Sequence, residues 1–78
     1  MSKPTIFTIT ATWDAEASVW VGHSDELPAA ADAPTLDALL AKINAMAIDI
    51  LPDNFPDLRP EDVYLQITAL KEAVPAAA

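Results

Sequence analysis

The sequence predicts an α+β domain in which one helix packs on one face of a small antiparallel sheet. Three observations carry that expectation. Residues 5–13 alternate apolar and polar side chains, and residues 18–24 resume strand character after a break of hairpin length. Residues 35–51 place apolar side chains at helical spacing. Residues 63–69 return to a period of two.

The first strand, Thr5 to Trp13, puts Phe7, Ile9, Ala11 and Trp13 on one face and Thr8, Thr10 and Thr12 with Ile6 on the other. Its β-branched and aromatic residues suit a half-buried pleat. Asp14-Ala15-Glu16-Ala17-Ser18 is polar and small, the length of a hairpin loop. Ser18 to Ser24 resumes strand character, with Val19, Val21 and His23 on one side and Trp20 and Gly22 on the other. In this reading Trp13 enters the core, and Trp20 stands half-exposed on the opposite face. Pro28 ends the strand because it has no N–H to give to a ladder. Ala29 to Asp32 has the length of a short third strand, but its three consecutive alanines carry little β signal. The pattern alone leaves that strand open.

Thr35, after Pro34, is an N-cap candidate whose hydroxyl can accept from the N–H of Asp37 or Ala38. Asp37 suits the positive end of the helix dipole. The helix is expected to run to about Leu51, before Pro52, with Leu36, Leu39, Leu40, Ile43, Ala47 and Ile50 as its apolar stripe. Pro52 to Asp62 holds three prolines and four acidic residues and reads as a rigid surface loop, tied down by Phe55 and Leu58. In the last strand Val63, Leu65, Ile67 and Ala69 point inward, and Tyr64, Gln66 and Thr68 outward. Residues 1–78 form a single domain in this reading, ordered over about 4–72, with a flexible tail at 73–78.

Charge narrows the function. The chain has 12 Asp+Glu against 4 Lys+Arg, a net charge of −8. Nucleic-acid affinity rests on Lys and Arg displacing counterions at phosphates, and four scattered cations make no such footprint. Direct nucleic-acid binding is therefore not expected, whereas a basic protein would be steered towards this one. No stretch approaches the roughly 20 apolar residues of a membrane span. Met1-Ser2-Lys3-Pro4 has no apolar run of signal-peptide type, so the expected compartment is cytoplasmic. A domain this short buries only about 60–65% of its unfolded surface. Moreover, 16 of its apolar residues are Ala. Dimerisation, through an edge strand or the uncovered sheet face, would supplement so small a core.

Chemistry finds little purchase. There is no Cys, which excludes disulfides, thiol catalysis and thiolate metal sites. His23-Ser24-Asp25 is no triad, because neighbouring strand side chains point to opposite faces. A calcium loop starting at Asp53 would need Gly and Glu where the chain has Leu58 and Tyr64. Gly22 is the sole glycine, which excludes a Gly-rich phosphate loop. The expectation is a protein that is not an enzyme, with no catalytic, cofactor-binding or metal residues and no cofactor. Trp20 reads either as a structural aromatic or as an interface anchor, since Trp is enriched at binding hot spots.

Phe7-Thr8-Ile9 with Trp13-Asp14, Val19-Trp20-Val21, Ser24-Asp25 with Leu27-Pro28, and Thr35-Leu36-Asp37 with Leu39-Leu40 occur in an ordered set over about residues 5–51. In that set the chain resembles the HicB-like antitoxin superfamily, and most of all its short stand-alone members, a domain family of unknown function. Two positions depart from the pattern: Ala29 stands where the family usually has Gly, and Ala33-Pro34 where an acidic residue often precedes the threonine. The resemblance implies the order β-β-β-α-β, a partial relative of the ribonuclease H sheet. It also implies a partner: members of known role cover the active surface of a small basic toxin that cleaves mRNA. Many members bind operator DNA through a separate C-terminal domain, for which this chain leaves no room.

The expected function is thus a non-enzymatic, antitoxin-like module that masks a small basic RNA-directed partner. Trp20, Asp25, Glu26, Asp32 and Asp37 are the contact candidates. The alternatives are a structural or oligomerisation module, and a remnant Mg²⁺-dependent hydrolase suggested only by the ribonuclease H-like fold.

Overall fold

The computed structural model describes residues 4–73. Its elements run in the order β-β-β-α-β: β1 (Thr5–Asp14), β2 (Val19–Ser24), β3 (Ala30–Ala33), α1 (Leu36–Asn54) and β4 (Val63–Leu70), with one 3-10 turn at Pro60–Asp62. The frayed tail expected at 73–78 lies, beyond residue 73, outside the described residues.

The first hairpin closes through Asp14, whose Oδ1 accepts from the N–H groups of Glu16 and Ala17 at 3.1 and 3.2 Å. Ser18 completes the turn in the left-handed region (φ 56), so β2 starts one residue later than the alternation suggests. The short third strand does form, with Ala30 opposite His23 and Ala33 opposite Trp20.

Strand order in the sheet is β3-β2-β1-β4. β2 is antiparallel to both β1 and β3, whereas β4 is parallel to β1, from Thr5 opposite Val63 to Thr12 opposite Leu70. The sheet is therefore mixed, and the expectation of a purely antiparallel one is corrected at that ladder. The reason is the connection. α1 carries the chain back across the sheet from the β3 edge to the far side of β1, and such a crossover delivers a parallel strand.

α1 begins at the Thr35 cap, whose Oγ1 accepts from the Ala38 N–H at 3.1 Å. It does not stop at Leu51 as expected; Pro52 lies inside its last turn. A proline there takes the donor from the Ile48 carbonyl and crowds it. The carbonyls just before Pro52 are satisfied: Ile50 accepts from Asn54 Nδ2 and Leu51 from the Phe55 N–H. Leu51 is buried, and the half-buried Phe55 ring sits 5.4 Å from that of Phe7, so packing holds the extra turn.

The core lies between α1 and the centre of the sheet. Phe7, Ile9 and Ala11 of β1 meet Leu39, Ile43, Ala47 and Leu51 of α1, with Leu27, Ala29 and Ala33 closing the β3 side. Small residues let the helix settle close; Leu39 lies directly over Gly22. β4 is less well covered, since its inward Val63, Leu65 and Ile67 are only half-buried. Ala69, expected inward, is exposed.

Candidate functional site

Two expected placements are overturned: Trp13 is half-buried outside the core cluster, and Trp20 shares its face. Trp20 does not take the face opposite Trp13; the register pairs the two residues, and a directly paired set of side chains shares a face. Their rings meet edge-on at 5.3 Å, and Trp20 packs half-buried against the core. Val21, on the other side of β2, is 44% exposed. The four-residue loop between Asp14 and Val19 fixes this register, and alternation alone gave no phase for β2. Trp20 still presents an aromatic edge beside the start of α1, because its cross-strand partner Ala33 immediately precedes Pro34 and the Thr35 cap.

The structure separates the contact candidates into two groups. Trp20 and Asp32 lie where β3 runs into α1, on opposite faces of the sheet, and Asp37, in the first turn of α1, is turned towards β4. Asp32 lies on the uncovered face opposite Val21, and its carbonyl accepts from Lys42 Nζ at 2.7 Å. Asp37 is exposed in the first helical turn. Asp25 and Glu26 lie at the other end of β3, in the turn after Ser24. That turn is built on the buried Ser24 hydroxyl, whose Oγ accepts from the N–H groups of Glu26 and Leu27 at 3.3 and 3.2 Å. Leu27 is thereby anchored in the core at 2% exposure, and the carboxylates point to solvent. His23 reaches Asp25 Oδ1 at 3.7 Å across the surface, on the face opposite Ser24.

The described cations are all engaged within the chain. Lys42 is held on Asp32, and Lys71 Nζ lies 4.7 Å from the Trp13 ring centroid. Arg59 donates to Glu61 Oε1 at 2.7 Å; that bond, reinforced by the charges of Glu61 and Asp62, holds its guanidinium above its ordinary range. Asp25, Glu26, Asp32 and Asp37 are exposed, with Lys42 beside Asp32 and His23 beside Asp25. Among the described residues, no group of three or more His, Asp or Glu gathers as a metal would require. No helix among them is long and apolar enough to cross a membrane.

Sequence reasoning missed a groove of about 470 Å³ between α1 and β4. Leu40, Asn44 and Ile48 form its helical wall, and Val63, Tyr64 and Leu65 its strand wall. The spacing of Leu40, Asn44 and Ile48, four residues apart, was the available signal: it marks a second flank beside the main apolar stripe. Ile48 is 48% exposed there.

Comparison with known proteins agrees on the fold. Residues 6–77 match the model of a domain of unknown function, DUF1902. The chain is also similar to the crystal structure of a hypothetical protein from the extremely thermophilic bacterium Thermus thermophilus. The two share 38% identity at a TM-score of 0.72, over 88% of this chain and 97% of that one. No curated protein matches.

Proposed function

The chain belongs to the DUF1902 domain family, and from that premise we propose that it is a non-enzymatic, antitoxin-like binding module for a small basic, RNA-directed protein. The observation that carries this reading is the disposition of charge. Lys42, Arg59 and Lys71 are bound to groups of the chain itself, while Asp25, Glu26, Asp32 and Asp37 are exposed on a protein of net charge −8. A basic partner meeting that surface gains attraction from the excess of acidic groups, and long-range steering raises its rate of encounter. Trp20, half-buried on the helix side of the sheet near the start of α1, supplies the aromatic contact that such interfaces favour. The ordered likeness to HicB-like antitoxins supports the same partner class.

Co-expression with a small basic protein encoded by an adjacent reading frame tests the proposal. A complex should form at low salt and weaken as salt rises, because exposed charges are screened beyond about 8–10 Å near physiological ionic strength. Reversing Asp32 and Asp37 to Lys should slow association more than reversing Asp49, on the far part of the helix. Absence of any complex at low salt would count decisively against this function.

A further inference from the structure

The two edges of the sheet are finished differently. β3 is four residues long, carries Asp32, and lies between Pro28 and Pro34. Short length, charge and flanking proline are the usual means of keeping an edge from pairing with another chain. β4 runs from Val63 to Leu70 with neither charge nor proline, and it too is an edge. Its inward side chains line the open groove, and its outward Tyr64 and Leu70 are 58% and 66% exposed. In a chain of net charge −8, this uncharged strand is where a second copy meets least repulsion.

We propose that two copies of the chain join through their β4 edges, antiparallel, about a two-fold axis at Gln66. Charge selects the direction. Glu61 and Asp62 precede the strand and Lys71 follows it, so a parallel pairing would align acidic ends, whereas an antiparallel one sets acid against Lys71. Face selects the register. Directly opposed residues must share a face, which leaves the axis on a residue rather than between two. Centred on Gln66, Leu65 opposes Ile67, Val63 opposes Ala69, and Tyr64 opposes Thr68. Glu61, which also holds Arg59, comes opposite Lys71, whose ammonium leaves the Trp13 ring to reach it. Centring on Ile67 would instead set Asp62 against Glu72, like against like. The same patch serves both copies, as a two-fold contact requires. The paired helices and strands then close the two α1–β4 grooves against each other, adding apolar burial that the single core lacks. This interface is separate from the charged surface at Asp25, Glu26 and Asp32, though Asp37 also lines the groove, and it stands or falls without the partner proposed above.

Sedimentation of the full chain from low to high micromolar concentration tests the pairing. The unmodified protein should reach dimer mass. Gln66→Glu opposes two carboxylates at the axis and should weaken the dimer roughly fivefold or more at neutral pH, the equivalent of about 1 kcal/mol. Val21→Glu, on the uncovered face, should leave the dimer intact. Because the chain has no Cys, Gln66→Cys should oxidise to a covalent dimer far faster than Val21→Cys. A strict monomer at high concentration overturns the proposal. So does a dimer dispersed by Val21→Glu but untouched by Gln66→Glu, which would place the contact on the open sheet face.

Discussion

Replacing Gly22 by Ala should destabilise the fold through one identifiable collision. A Cβ at Gly22 would stand 2.8 Å from Leu39 Cδ2, 3.2 Å from Cδ1 and 3.3 Å from Cγ. Carbon atoms rest at about 3.5–4.0 Å, so the added methyl overlaps the leucine by roughly half an ångström or more. Leu39 is fully buried and cannot swing into solvent. Overpacking of this kind costs about 1–3 kcal/mol, while the reduced freedom of the unfolded chain returns about 0.4–1 kcal/mol. The net expectation is a loss of about 1 kcal/mol, or about 4–8 °C in Tm for a domain of this size. Urea and thermal melts followed by circular dichroism would measure it, with the urea m-value unchanged. Leu39→Val removes both clashing Cδ atoms, itself a deletion of a kind that costs about 0.5–1.5 kcal/mol. In that background Gly22→Ala should become neutral or stabilising. An equal cost in both backgrounds would refute the packing of α1 over β2.

Three further substitutions probe single features by the same melts. Ser24→Ala strands the N–H groups of Glu26 and Leu27 and should cost about 1–3 kcal/mol. Thr35→Ala removes the helix cap and should cost about 1 kcal/mol, while Thr35→Ser should retain most of the stability. Lys71→Ala should alter Trp13 fluorescence with a stability change below about 1 kcal/mol, as an exposed cation–π contact implies.

The parts of the fold legible in the sequence are those with a local cause. Thr35 capping a leucine-rich stripe announces α1, and the Thr-rich alternation of residues 5–13 announces β1. The faces of β2 were not legible. Val19 and Val21 look as apolar as Trp20 and Gly22, and the buried positions are Gly22 and Ser24, which leave no hydropathy signal. The burial of Gly22 comes from Leu39, a contact made across the chain. The third strand hides for a related reason: alanines at 29 and 33 are small because the helix side of the sheet is crowded there, and that crowding erases the β-branched signature. The direction of β4 and the groove beside it depend on where α1 settles across the sheet, which no local pattern encodes. Of the contact candidates, Asp25, Glu26, Asp32 and Asp37 are exposed, while the side of the sheet taken by Trp20 required the hairpin register.

Masking is best tested by cleavage itself. With the basic partner purified and a defined mRNA as substrate, increasing amounts of this protein should abolish cleavage at molar equivalence, and added salt should restore it by dissociating the pair. Undiminished cleavage in a large excess of the acidic chain would contradict a masking role.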